Sequence, residues 1–155
     1  MPREPDKERF GAILDWKQFE CFAELEFRSF GYETIRNFRV KKPRLEIDLL
    51  ARSNKMAFAV DCKHWERTVG HSTMLSISNK QIDRCRKVVS LGLVEKLIPV
   101  VLTLHDECLL VLENGVPIVP IQKISDFVLN WDSSSVIEIT NKEVSSPSST
   151  SNSFV

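Results

Sequence analysis

No apolar run in the chain approaches the roughly 20 residues that a membrane-spanning helix requires. The first ten residues, MPREPDKERF, are charged and lack the apolar centre of a secretion signal. Hydrophobic residues make up 43% of the 155 residues and charged residues 27%, an ordinary balance for one globular domain with its own core. These features predict a cytoplasmic protein that has no membrane partner.

The chain has few cysteines, and none of them forms a C-x-x-C pair. The four are Cys21, Cys62, Cys85 and Cys108. Structural zinc sites typically use closely spaced cysteines, so a zinc site has little support here. We expect reduced and mostly buried thiols, which suit a reducing compartment.

The chain has no net charge, because 21 Lys and Arg residues balance 21 Asp and Glu residues. Proteins that bind nucleic acid, by contrast, are often basic. The positive charges are nevertheless clustered. Residues 28–44 contain six basic residues and one acidic residue, and a second cluster consists of Lys80, Arg84, Arg86 and Lys87. Such runs alone indicate only solvated faces, so their position relative to a candidate site decides their meaning.

The apolar periodicity alternates along the chain between the spacing of helices and that of strands. It predicts helices from Asp15 to Gly31, from about Met74 to Leu91 and from Ile124 to Trp131, besides a short helix near residues 8–14. It predicts strands over residues 32–40, 44–52, 56–63, 97–104, 108–112, 116–121 and 136–139. This order indicates an α/β fold with a mixed sheet. We expect the domain to cover residues 1–140, followed by a Ser-rich, disordered tail at residues 141–155.

Strict alternation within a strand predicts which side chains share a face. In the second strand this places Leu45, Ile47 and Leu49 on one face and Arg44, Glu46 and Asp48 on the other. In the third strand it places Asp61 and Lys63 together, two residues apart on one face.

Asn54 and Lys55 suit a two-residue hairpin loop, and such a loop pairs Asp48 with Asp61 at roughly 5 Å between Cβ atoms. Like charges this close repel, unless a cation lies between them. Carboxylate ligands favour Mg²⁺ or Mn²⁺ over zinc. Lys63 is then placed to orient or deprotonate a metal-bound water, or to stabilise transition-state charge. The alternative is a surface hairpin whose outer face is charged.

Four short motifs occur in order: Phe19-Glu20, Gly31-Tyr32-Glu33, EIDLLA at residues 46–51 and VDCKHW at residues 60–65. In this order and spacing they resemble the PD-(D/E)xK nuclease superfamily, especially Mrr-type restriction endonucleases and archaeal Holliday-junction resolvases. The resemblance spans roughly the first 90 residues. It implies a restriction-endonuclease-like fold, with a central mixed sheet flanked by helices. It also implies a metal-dependent endonuclease that hydrolyses DNA, either structure-specific or related to restriction or repair.

The resemblance assigns the active site to Asp48, Asp61 and Lys63. A Glu on the first helix often completes the metal environment in this family, and Glu20 matches it, with Glu24 and Glu26 as substitutes. Gln81 matches a Gln that some relatives carry on the helix after the third strand. The chain departs from many relatives in having Asp rather than Glu at position 61. It also departs from strongly basic junction resolvases in its zero net charge, and it shows no recognisable DNA-reading domain.

The basic residues near these motifs are expected to contact the DNA backbone. They are Arg36, Arg39, Lys41, Lys42, Arg44, Lys80 and Arg84. We expect a homodimer, since cutting both strands of a duplex commonly uses two sites. The alternatives are a catalytically inactive nuclease fold that serves as a DNA-binding or assembly subunit, and a nuclease that acts on RNA.

Other polar residues near the motifs have weaker assignments. We expect Glu46 to pair with a basic neighbour, although it is also an alternative metal ligand. We expect His64 to have a structural role and His105 to be a strand-end residue. His71 either contacts a phosphate or is an ordinary loop residue.

Overall fold

The computed structural model describes residues 15–54, 56–64, 69–104 and 108–141. The helices are α1 (Trp16–Ser29), α2 (His71–Ser90) and α3 (Ile124–Asn130). The strands are β1 (Glu33–Lys41), β2 (Arg44–Ser53), β3 (Met56–Lys63), β4 (Lys96–Thr103), β5 (Leu110–Val111), β6 (Pro117–Pro120) and β7 (Ile139–Thr140). The predicted helix near residues 8–14 and all of the predicted tail after Asn141 lie outside the described residues.

The strands form one mixed sheet in the order β1-β2-β3-β4-β6-β5, with β7 beside β4. The β1–β2–β3 meander is antiparallel, and β3, β4 and β6 are parallel to one another. Ser53 pairs with Met56, which confirms the predicted two-residue loop at Asn54. The predicted hairpin across Asn114 is confirmed as the antiparallel pair β5–β6. The last strand lies further along the chain than predicted, because its pairing with β4 begins at Ile139.

Helix α1 begins where the sequence predicts it. The Asp15 side chain accepts a hydrogen bond from the Gln18 N–H, and the Gln18 side chain accepts one from the Asp15 N–H, which together form a capping box. Its apolar stripe, formed by Phe19, Ala23 and Phe27, is buried against the sheet. Within the described residues, no helix is long and apolar enough to cross a membrane.

The sheet lies between two helical layers. Phe58, Val60 and Cys62 of β3 belong to the core that includes α1 and α3, and we call this side the α1 face. Ala57 and Ala59 belong to the core that includes α2, and we call that side the α2 face. The observed α/β architecture, a mixed sheet flanked by helices, confirms the predicted fold class.

The β1–β2 pair exchanges faces in the middle of the hairpin. Leu45 and Ile47 pack on the α2 face, whereas Leu49 packs on the α1 face, so the prediction that these three share a face is wrong. The exchange lies at Asp48 and at Asn37, whose backbone adopts a left-handed conformation with φ of 53°. Asn tolerates this conformation better than most residues, and it interrupts the alternation of an extended strand. Asp48 therefore lies at the crossover, between the two faces.

Candidate active site

Asp48 lies where β2 and β3 part. The paired residues of the two strands end at Leu49 and Val60, and the next step of that register brings Asp48 beside Asp61. The main-chain N–H of Cys62 donates a hydrogen bond of 2.9 Å to Asp48 Oδ2. The Asp48 carboxylate thus accepts a hydrogen bond from the main chain at the end of the ladder, and this bond holds the carboxylate in a defined position.

Glu20 reaches the same place from α1. Its side chain is only 1% exposed, and Arg36 Nη2 of β1 lies 3.8 Å from Glu20 Oε2 as an ion pair. Neither carboxylate oxygen has a hydrogen-bond partner among the described residues. Burial raises the pKa of Glu20, the Arg36 charge lowers it, and the charge of Glu46 raises it further. The helix stripe positions this side chain, because Phe19 before it is fully buried against the sheet.

Negative charge is concentrated around Asp48. The pKa of Asp48 is raised from 3.8 to about 7, first by burial and then by the charges of Asp61 and Glu20. The hydrogen bond from the Cys62 N–H opposes these effects and lowers the pKa. The ionised form of Asp48 is therefore disfavoured unless a further cation lies close to it.

Asp61 and Lys63 form the remaining part of the predicted trio. Lys63 Nζ lies 3.3 Å from Asp61 Oδ2, so the two side chains form an ion pair. Asp61 is 6% exposed, and its Oδ2 has no hydrogen-bond partner in the described part of the chain. Alternation along β3 places both residues on the α2 face, opposite to Cys62. Asp48, at the crossover, is the residue that links this pair to Glu20.

Cys62 is a participant that sequence reasoning missed. Its Sγ and one carboxylate oxygen each of Glu20 and Asp48 all lie within 4.8 Å of one another. Within the described residues, these three side chains are the potential metal ligands that lie this close together. Asp61 is not part of that group. Burial raises the pKa of the Cys62 thiol well above its ordinary value. The sequence signal for this role is that Cys62 stands between Asp61 and Lys63 in the D-x-K motif. Strand alternation, however, predicts only that Cys62 is a core residue.

The family model of an Mrr-type catalytic domain, described as a restriction endonuclease, matches residues 12–89. That range covers half of the chain and includes all of the residues that form the site. The chain belongs to this restriction endonuclease family. A nuclease-type function and a restriction-endonuclease-like fold accompany that membership.

One solved structure similar to this family member is the crystal structure of a protein of unknown function, AF1548. It is 17% identical, with a TM-score of 0.43, and the match covers 79% of this chain and 55% of that chain. This chain therefore spans little more than half the length of that protein. No curated protein matches the chain.

The donor groups of this restriction endonuclease domain fit a hard divalent cation. Glu20 and Asp61 have buried carboxylate oxygens without hydrogen-bond partners among the described residues, and Asp48 lies between them. Carboxylate oxygens are the ligands that Mg²⁺ and Mn²⁺ prefer. A bound cation would also offset the mutual repulsion of the three carboxylates.

Gln81 lies on the α2 face, away from Glu20. It is fully buried, and its Nε2 donates a 2.8 Å hydrogen bond to the main-chain oxygen of Ala59, two residues before Asp61. Its Oε1 accepts a 2.8 Å hydrogen bond from Arg84. The side chain thus contacts the β3 backbone rather than the carboxylates, and its predicted catalytic role stays a prediction.

The substitutes considered for Glu20 have other partners. Glu24 accepts a hydrogen bond from Thr34 at 2.8 Å, and Glu26 accepts one from Ser125 at 3.4 Å. Glu46 forms an ion pair of 3.0 Å with Arg39, in line with the prediction that it pairs with a basic neighbour.

The three histidines occupy separate positions. The His64 ring packs edge-on against Phe19, at 5.5 Å between centroids, which agrees with a structural role. His71 Nε2 lies 2.9 Å from Glu113, so its imidazole is already engaged. His105, like Trp65 of the VDCKHW motif, lies outside the described residues.

Basic residues from two separate stretches line one groove on the α2 side of the hairpin. The groove has a volume of about 770 Å³ and is lined by Arg39, Val40, Lys41, Arg44, Leu45, Glu46 and Arg84, which together we call the basic groove. It thus unites four of the seven basic residues predicted to bind DNA. Arg36 instead turns toward Glu20, and Lys42 and Lys80 are exposed outside the lining.

Proposed function

We propose that this chain is a metal-dependent endonuclease that hydrolyses the phosphodiester bonds of DNA. The observation that carries the proposal is the position of Asp48, between buried Glu20 and the Asp61–Lys63 pair at the parting of β2 and β3. An inert surface hairpin would not gather two buried carboxylates, Glu20 and Asp61, around a half-buried third, Asp48, because burying charged groups costs free energy.

Glu20, Asp48 and Asp61 are the residues that would hold the ion. Mg²⁺ or Mn²⁺, when bound, neutralises phosphate charge and lowers the pKa of water. Asp48 keeps its orientation through the Cys62 N–H, so its carboxylate is preorganised. Lys63, 28% exposed, is close enough to Asp61 to orient an attacking water, take its proton, or stabilise charge on the phosphate.

The basic groove supports DNA as the substrate. Four cationic side chains line it against one carboxylate, and that carboxylate, Glu46, is already paired with Arg39. Such a surface attracts a phosphate backbone without reading its bases, so the proposal includes no sequence preference. Cleavage of both strands commonly uses two active sites, and we therefore also propose a homodimer.

A cleavage panel tests this function. Linear, nicked, flapped and four-way DNA, and an RNA of matched sequence, are incubated with the protein in Mg²⁺ and in excess chelator. The proposal predicts cleavage of at least one DNA substrate that chelator abolishes. Binding without any cleavage would indicate an inactive nuclease fold instead, and cleavage of RNA alone would make the protein a ribonuclease.

A further inference from the structure

The site contains a sulfur donor that hard-cation chemistry does not use. The Cys62 Sγ lies within 4.8 Å of a carboxylate oxygen of Glu20 and of Asp48, and Cys62 is 5% exposed. Mg²⁺ takes oxygen ligands in nearly ideal octahedral geometry, so a thiol does not serve it. Thiolate together with carboxylates is a donor set that suits zinc and similar ions.

A second observation points to a ligand at this place. The Glu20 carboxylate is 1% exposed, and neither oxygen has a hydrogen-bond partner among the described residues. Its nearest cation, Arg36 Nη2, is 3.8 Å from Oε2, which is too long for a hydrogen bond. Buried acceptors ordinarily have hydrogen-bond partners. The Glu20 carboxylate can therefore still bind a ligand, and it lies next to Asp48 and Cys62.

We propose that Glu20, Asp48 and Cys62 form a second cation position on the α1 face, which overlaps the hydrolytic one and is selective for a thiophilic divalent ion such as Zn²⁺. On binding, the S–H bond of Cys62 breaks, a sulfur–metal bond forms, and the proton passes to solvent. No electron transfer is involved.

This position shares Glu20 and Asp48 with the hydrolytic one and differs from it in using Cys62 instead of Asp61. Alternation along β3 places Asp61 and Lys63 on the α2 face, whereas Cys62 and Glu20 lie on the α1 face. An ion held by Cys62 therefore occupies Glu20 and Asp48, which the catalytic ion also needs, and it competes with that ion. This second step rests on the proposed function; the binding of the thiophilic ion does not.

Co²⁺ is the probe for the binding step, because Co²⁺–thiolate bonds absorb in the near ultraviolet and Co²⁺–carboxylate bonds do not. The parent protein is the full chain with Cys21→Ser and Cys108→Ser, which removes the two cysteines that are not buried. Cys62→Ser and Cys85→Ser are then made in this parent. Cys85 is a matched control, since it is also buried but lies in the α2 core.

We expect the thiolate absorption to saturate in the parent and in Cys85→Ser, and to be absent in Cys62→Ser. Glu20→Gln, which keeps the thiol, should weaken Co²⁺ binding by about tenfold or more, the loss common for altered metal surroundings. Circular dichroism of the metal-free variants verifies folding, and Glu20→Gln decides the matter if Cys62→Ser fails to fold. Absorption that is missing from the parent, or that persists unchanged in Cys62→Ser, overturns the proposal.

The competition step is measured separately, as Zn²⁺ inhibition of Mg²⁺-dependent DNA cleavage. Cys62→Ser should require roughly tenfold more Zn²⁺ for half inhibition than the parent. Equal inhibition of the two proteins contradicts the shared role of Asp48. If no protein cleaves DNA, the proposed function fails, while the Co²⁺ absorption still decides whether the thiophilic position exists.

Discussion

The Cys62 N–H and Asp48 Oδ2 are joined by a hydrogen bond of 2.9 Å at the end of the β2–β3 ladder. This bond fixes a carboxylate between the two faces of the sheet, where neighbouring side chains arrive from α1 and from β3. The bond itself lowers the pKa of Asp48, but burial, together with the charges of Asp61 and Glu20, raises that pKa to about 7.

The pH dependence of stability follows from that pKa. In the folded, metal-free protein Asp48 stays protonated up to about pH 7, whereas in the unfolded chain it ionises near its ordinary value of 3.8. The folded state therefore binds more protons between these values, and its stability falls as pH rises through 7. Glu20, whose pKa is also raised, acts in the same direction.

We expect thermal unfolding in excess chelator to show this decline between pH 5 and pH 8. Asp48→Asn should reduce it, and Mg²⁺ should restore stability to the wild-type protein at the alkaline end. Asp83→Asn is the control, because Asp83 is exposed on α2 and its loss should leave the profile unchanged. An identical decline in Asp48→Asn would argue against this electrostatic account.

Lys63 is predicted to act in the chemical step. Lys63→Met removes the ammonium beside Asp61 and should slow single-turnover cleavage by about a hundredfold or more, the scale seen when one transition-state donor is removed. DNA affinity, measured in Ca²⁺ to prevent cleavage, should change little. Lys123→Met, at an exposed ion pair with Asp126, is the control. A variant whose affinity falls as much as its rate would make Lys63 a binding residue.

The basic groove is predicted to bind the phosphates of the DNA backbone. Lys41→Gln and Arg44→Gln should weaken DNA binding, and the plot of log affinity against log salt should become shallower by about 0.9 for each phosphate that is no longer neutralised. Arg86→Gln, on the exposed side of α2 and paired with Asp83, provides the comparison. If the groove variants keep the wild-type salt slope, DNA binds elsewhere on the molecule.

Gln81 is predicted to support the structure of β3. Gln81→Met leaves the Ala59 carbonyl and Arg84 without their partner, which should lower the free energy of unfolding by about 1–3 kcal/mol in urea. A loss of cleavage at unchanged stability would instead support the catalytic role that the family resemblance implies.

The elements that could be predicted from sequence are those governed by local rules. The start of α1 at Asp15 and the two-residue loop at Asn54 each depend on nearby residues. The hairpin register follows from that loop, and it brings Asp48 beside Asp61 as predicted. The family motifs identify the domain independently of its packing.

The face exchange could not be predicted, because it depends on the left-handed conformation of Asn37, which alternation does not encode. That exchange directs Asp48 between the faces and so brings it close to Cys62. Charge alone predicts DNA binding for Arg36, whereas its approach to buried Glu20 depends on how α1 packs on β1. Each of these features is a tertiary contact rather than a local pattern.

The most direct measurement compares Asp61→Asn with Asp83→Asn in the cleavage of supercoiled DNA with Mg²⁺. Both changes remove one negative charge and keep the side-chain shape, but Asp61 is 6% exposed at the site and Asp83 is exposed on α2. Cleavage should fall by about a hundredfold or more in Asp61→Asn and stay at the wild-type rate in Asp83→Asn. Wild-type cleavage by folded Asp61→Asn protein would contradict the assignment of this site.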